Sequence, residues 1–195
     1  AAYMYSTNLT NAQSFESLLD PVNIKTDLIH IDNATGVDLG KYDVILIGSD
    51  TETWNNPASL DAILAANTPV IGLGTGGAKF LDKVPDLFIG WMNSASVTEI
   101  RGIIAGGDFY NYPYNLGVDI GDRIDLYFLA AYAWALYDQD AYSNHILRAV
   151  DLQNYYPLAS EGGRFYQWGY FGSPTYMTDT GKKFFINLVF GTLKP

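Results

Sequence analysis

The chain contains no cysteine, which excludes disulfides, thiolate metal sites and thiol nucleophiles. Basic residues are scarce: 11 Lys and Arg stand against 21 Asp and Glu, a formal charge of −10. That balance repels phosphate backbones and anionic lipid surfaces, so nucleic acid is not an expected partner. Long apolar runs are missing too. The longest, Leu126 to Tyr137, lies between Asp125 and Asp138 and falls short of the roughly 20 residues a helix needs to cross a bilayer, so no membrane insertion is expected. Metal chemistry finds little to work with. His30 and His145 have no ligand partner at helical spacing and read as structural histidines. Asp119, Asp122 and Asp125 lack the EF-hand pattern and read as a solvated loop; no cofactor is expected. No leader is legible at Ala1, as would also hold for a secreted protein in mature form. Low lysine, abundant Asn and Tyr, and the sequons Asn8-Leu9-Thr10 and Asn33-Ala34-Thr35 lean towards an extracytoplasmic or secreted protein.

What is present is apolar and aromatic. With 48% hydrophobic and 15% aromatic residues the chain can bury one substantial core, and a single domain over 1–195 is expected. The first half alternates strand and helix signals. Ala2 to Tyr5 reads as a strand, and Thr10 with Gln13 makes a capping box before Phe15, Leu18 and Leu19, which share a helical face. Strands follow within Ile24 to Ile31 and Tyr42 to Ile47. A helix starts at Asn56 with Pro57 in its first position and turns Leu60, Ile63 and Leu64 inward. Pro69 to Leu73 is the next strand and Ala78 to Leu81 the next helix, giving β-α-β-β-α-β-α. The runs Val44 to Ile47 and Val70-Ile71 suit strands covered on both faces. The second half is less regular, with strand-like pieces at Val97 to Ile104, Ile124 to Leu129, His145 to Val150 and Arg164 to Trp168. A closing helix, Asp179 to Phe190, follows Thr178, buries Phe184, Phe185, Leu188 and Val189, and is expected to stop at Gly191.

The turn Ile71-Gly72-Leu73-Gly74-Thr75-Gly76-Gly77 joins a strand to a helix as a nucleophile elbow does. In an elbow, a sharp bend lifts one side chain above the carboxyl end of a sheet. Here the lifted residue is Gly74, which bears no thiol, hydroxyl or carboxylate.

Taken in order, the strand Tyr42 to Gly48, this elbow, and Gly163-Arg164-Phe165-Tyr166-Gln167-Trp168-Gly169 before a terminal helix resemble the class I glutamine amidotransferase-like fold over most of the chain. The resemblance implies a three-layer α/β/α sandwich. Its sheet would be flavodoxin-like and mostly parallel, followed by a less regular β-rich second half. It also implies a catalytic Cys at the elbow, a His and a Glu just after the late strand, and an oxyanion held by backbone N–H groups nearby. In this sequence the Cys position falls on Gly74, and the His and Glu positions fall near Gly169 and Phe171. The chain therefore reads as a degenerate member without glutaminase activity, because acyl transfer needs both a nucleophile and a base.

Gly72-x-Gly74-x-x-Gly77 also matches a dinucleotide fingerprint, but that belongs on the first strand of a βαβ unit; here three strand signals precede it, and Glu99 is the only acid at about the right distance. A purely structural turn is the second reading, and a ligand cleft at the carboxyl ends of the strands is the third, drawing on Ser49, Asp50, Glu52, Trp54, Gly74, Thr75, Trp168 and Tyr170, with Tyr5 to Asn8 beside them. Carboxylates next to aromatic faces suit a small polar or carbohydrate ligand. The competing expectation is structural: Asp50 as a cap of its loop, Trp54 as a staple on the following helix and Trp168 as core, with no base beside Thr75. Three functions stay open: a non-catalytic module that binds a ligand or assembles with other domains or subunits; a hydrolase using Asp50 and Glu52 on a glycoside-like or amide-like substrate; and an interaction domain using the Tyr-rich surface of 108–137.

Overall fold

The computed structural model describes residues 1–51, 54–99, 101–107 and 109–193, and for residues 97–99 the backbone alone. The first half follows the expected order: β1 (Ala2–Tyr5), α1 (Leu9–Leu19), β2 (Asp27–His30), β3 (Ile45–Ile47), α2 (Pro57–Ala65), β4 (Val70–Leu73) and α3 (Gly74–Asp82). Local chemistry fixes the helix starts. Asn56 accepts from the Ser59 N–H at 3.3 Å and Pro57 opens α2, as its sequence predicts. The capping box at Thr10 does not form. Asn8 takes the N-cap instead, its side chain accepting from the Asn11 N–H at 3.0 Å, which leaves Thr10 exposed in the first turn. On α2, Ser59 and Ile63 are buried, whereas Leu60 and Leu64 are half-buried.

The second half builds β5 (Ser94–Glu99), β6 (Arg101–Ile104), β7 (Arg123–Asp125), β8 (Ala131–Tyr137), β9 (Asn144–Arg148), β10 (Tyr155–Tyr156), β11 (Leu158–Glu161) and β12 (Phe165–Trp168), and closes with α4 (Asp179–Thr192). The strand expected over 97–104 is two strands in two different sheets. The one expected over 124–129 ends at Asp125, because the buried Leu126 and Tyr127 leave the sheet; the Leu126 carbonyl accepts from the Thr178 N–H ahead of α4. α4 runs past Gly191. A Cβ there would lie 2.6 Å from Phe109, so this glycine admits an aromatic ring rather than ending the helix.

A nine-stranded sheet in the order β2-β1-β3-β4-β12-β11-β9-β6-β7 forms the centre, and β10-β8-β5 form a second, antiparallel sheet. From β2 to β12 the pairings are parallel; from β12 to β7 they are antiparallel. Strand alternation splits the core into two layers. Tyr3, Leu46, Ile71, Leu73 and Trp168 meet Phe15, Phe184 and Phe185 of α1 and α4 on one face. Met4, Ile45, Ile47, Val70 and Phe165 meet Ile63, Phe80 and Leu81 of α2 and α3 on the other. This is the three-layer α/β/α sandwich. No described helix is long and apolar enough to cross a membrane.

Candidate functional site

The elbow is real in its backbone. Leu73 is extended at φ −103, and Gly74, the first residue of α3, has φ +51, a left-handed conformation that side chains resist. The first and last glycines of the turn pack on each other: a Cβ on Gly72 would lie 2.9 Å from the Gly77 backbone, and one on Gly77 would collide with Gly72, so α3 can start directly over β4. The crest is covered. A Cβ at position 74 would stand 2.9 Å from both Ser49 Cβ and Phe171 Cδ1, and 3.3 Å from Phe171 Cα. Ser49 is held there because its carbonyl accepts from the Gly76 N–H at 3.1 Å.

Phe171 is held by the segment after β12, which runs alongside β8. Trp134 donates its backbone N–H to the Gly169 carbonyl at 3.0 Å, Phe171 donates its own to the Tyr132 carbonyl at 3.0 Å, and Tyr170 bridges Ala133. A side chain at Gly169 would collide with the Trp134 carbonyl. Two of the three positions where the resemblance implies catalytic side chains, 74 and 169, are thus closed by neighbouring atoms, and the third falls near Phe171, the residue that covers the crest.

The candidate cleft residues do not converge on one opening. Asp50 Oδ2 accepts from the N–H groups of Ser6, Thr7 and Asn8 at 2.9, 2.7 and 2.6 Å, tying the loop after β3 to the start of α1. Its Oδ1 is buried without a partner, as is the Tyr3 hydroxyl; burial, then the charge of Asp50, push the Tyr3 phenol far above its usual pKa. Trp54 is buried, donates to the Gly76 carbonyl at 3.1 Å and packs on Phe80, whereas Trp168 lies in the opposite layer, donating to the Tyr127 hydroxyl at 3.3 Å. Tyr170 is buried against Tyr127 and Trp168. Ser49 meets Gly74 at the elbow, where Thr75 follows in the turn, and Glu52 lies outside the described residues. The Thr75 hydroxyl accepts from the Trp134 indole at 3.0 Å, and that contact is not with a base.

Trp91 and Trp134 also stand at the elbow, though neither lies in a sequence motif. Their half-exposed rings meet at 3.9 Å beside Thr75, with the Lys79 ammonium 4.6 Å from Trp91. The signal was the rarity of tryptophan: the chain has 4, and only Trp54 and Trp168 sit beside recognisable motifs. Next to this wall lies an exposed apolar surface. Phe128, Leu129, Tyr132 and Tyr176 are 67%, 68%, 61% and 57% exposed. Leu129, Tyr132 and Tyr176 line a hollow of about 270 Å³ whose wall Phe171 shares with the elbow. Asp108, at the head of the Tyr-rich tract, lies outside the described residues.

The histidines read as structural and the aspartates read as a solvated loop have partners within the fold. His145 Nε2 lies 2.9 Å from Asp138 Oδ2, and its ring stacks on Tyr156 at 3.6 Å. Burial raises the Asp138 pKa, but hydrogen bonds from His145, the Ser143 side chain and neighbouring N–H groups outweigh it and bring the carboxyl down to about 2. His30 accepts from the Asp32 N–H at 3.3 Å. Asp122 accepts from the Asp119 N–H at 2.9 Å, and Asp125 pairs with Arg101 at 3.3 Å.

No family model and no curated protein matches the chain in sequence. Solved structures do share its fold. A GMP synthase subunit from Thermoplasma acidophilum superposes with a TM-score of 0.59 at 10% identity, covering 98% of this chain and 92% of its own. A glutamine amidotransferase from Methylobacillus flagellatus gives 0.51 at 11% identity, covering 100% and 95%. The glutaminase domain of Trypanosoma brucei CTPS, with acivicin bound, gives 0.50 at 9%, covering 98% and 92%. The fold is therefore that of the class I glutamine amidotransferases, and at these identities the likeness concerns the fold alone.

Proposed function

We propose that the chain is a non-catalytic module on an amidotransferase-like fold, one that works by assembling with another domain or subunit. The observation that carries this reading is the closed crest: a Cβ at position 74 would lie 2.9 Å from both Ser49 and Phe171, so the backbone keeps an elbow's bend with no room for what an elbow presents. Two polar side chains beside it are engaged through the Thr75 hydroxyl and Asp50 Oδ2. Thr75 holds an indole, and Asp50 holds three N–H groups, so a hydrolase reading through Asp50 gains no support. The assembly reading draws on the apolar surface of Phe128, Leu129, Tyr132 and Tyr176, placed beside the elbow. By their names, two of the similar structures are parts of larger proteins, one a domain and the other a subunit, which fits a fold that works in company. Export belongs to the same proposal and rests on the sequons, whose Asn8 and Asn33 are both exposed.

Ammonia release from glutamine by the purified chain tests the first half. The expected result is no release above buffer, for the chain and for Gly74→Cys alike; turnover by either overturns the reading. A photo-crosslinking residue placed at 129 tests the second half in the native host. It should capture one defined partner that the same residue placed at exposed position 65 does not, and equal capture from both positions counts against assembly through this face.

A further inference from the structure

The face of the sandwich away from α2 and α3 carries a groove of about 640 Å³ between α1 and α4, within the range of small-molecule sites. Two helical stripes face each other across it. On α1, Gln13, Ser14 and Ser17 supply amide and hydroxyl groups; on α4, Asp179, Lys182 and Lys183 supply charge. Between them the floor is apolar, made by Leu18, Val22, Ile186 and Tyr114. This wall is built rather than incidental. The fully buried Asn187 fixes the Tyr114 backbone twice, accepting from its N–H at 2.9 Å and donating to its carbonyl at 2.7 Å, and Ser14 meets Ser173 at 3.0 Å to join α1 to the segment ahead of α4.

Charge selects the occupant. In a chain of net charge −10, two of the 11 basic residues stand side by side on this rim, and among the described residues neither ammonium is in a salt bridge. Lys183 leans over the Tyr114 ring at 5.9 Å, on the groove side of the helix. Against one carboxylate, Asp179, they leave this wall with an excess positive charge, while the facing stripe of α1 carries no carboxylate.

We infer that the groove between α1 and α4 binds a small amphipathic carboxylate, its hydrocarbon body on Leu18, Val22, Ile186 and Tyr114 and its anionic end on Lys182 and Lys183. Hydroxyls of the α1 wall complete the carboxylate's hydrogen bonds. Binding here is independent of the elbow, with which the groove shares no lining residue.

The test titrates the whole chain with sodium decanoate below its micelle concentration and follows backbone amide resonances. Decylammonium and acetate serve as controls for charge and for the tail. Decanoate should bind saturably and shift amides of Ser14, Ser17 and Lys182, with both controls about tenfold or more weaker. The double variant Lys182→Gln, Lys183→Gln should lose about tenfold in affinity at unchanged thermal stability, and Ser17→Tyr should block the groove without altering its charge. Absence of saturable decanoate binding, equal binding of decylammonium, or affinity untouched by either variant overturns the inference. Binding to phosphatidylglycerol vesicles without binding to decanoate also overturns it and assigns the rim to a lipid surface.

Discussion

The parallel and antiparallel halves of the nine-stranded sheet are built on different terms. In β3, β4 and β12 every residue is buried, because helices cover both faces and successive side chains enter opposite layers of core. In β6, β7 and β9 buried and open positions mix, as they do in a sheet with one wetted face. The surface repeats the division. Among the described residues, the exposed large hydrophobics all lie between Met92 and Leu152 except Leu9 and Tyr176. One half holds the molecule together, and the other carries apolar surface that its own core does not use. The elbow lies on the seam, where β4 pairs with β12, and its crest is closed by Phe171, just beyond β12.

The sharpest way to break this division is to show that the two halves tolerate truncation equally. Trp168→Ala, in the parallel core, should cost about 3–5 kcal/mol in urea-induced unfolding, since a fully buried indole packed on Phe184 and Phe185 leaves a cavity that its neighbours fill only in part. A loss under 1 kcal/mol would mean that this layer is not the tightly packed one. Gly74→Ala probes the seam. A left-handed backbone costs about 1–2 kcal/mol for a residue with a Cβ, and displacing Ser49 or Phe171 adds about 1–3 kcal/mol. A variant as stable as the parent would show that the crest is open after all.

The antiparallel half has its own anchor in Asp138, and pH separates it from the rest. Its carboxyl is lowered to about 2 in the folded chain, so it binds fewer protons folded than unfolded in the acid range. Its contribution is complete above the ordinary Asp value of about 4 and disappears as pH falls towards 2. The difference amounts to about 2 kcal/mol. Thermal melts between pH 5 and pH 2 should show this component in the parent and lose it in Asp138→Asn; an unchanged pH profile in the variant would refute the assignment.

The same division decided what could be read from residues alone. β1 to α3 were legible because each element is signalled within its own stretch: apolar runs for strands covered on both faces, Asn56-Pro57 for a helix start, a glycine turn for the elbow. Asn8 displaced Thr10 as cap because both residue types suit the position, and only the placement of the preceding turn decides between them. β8 was hidden in the run Leu126 to Tyr137. Its pairings with β5 and β10 reach far along the chain, and the stretch ahead of it is tied down by Tyr127 donating to the Gly172 carbonyl, which leaves no local pattern. At the elbow, the lack of a nucleophile could be read directly from Gly74. That Ser49 and Phe171 fill the space above it could not, because contact between loops after β3 and β12 leaves no local pattern. For the same reason the two tryptophans expected to line one cleft turned out to serve opposite layers.

The smallest effect on stability should come from the surface that the assembly proposal needs most. Phe128 and Leu129 are 67% and 68% exposed, so replacing both with serine removes little buried area and should change unfolding free energy by no more than about 0.5 kcal/mol. If the two side chains served the fold, the variant would instead lose stability on the scale of a core truncation. If they serve a partner, the variant keeps its melting behaviour and loses the crosslink captured from position 129 in the parent. Stability and capture moving together would place this surface with the core, and capture alone moving would place it with the partner.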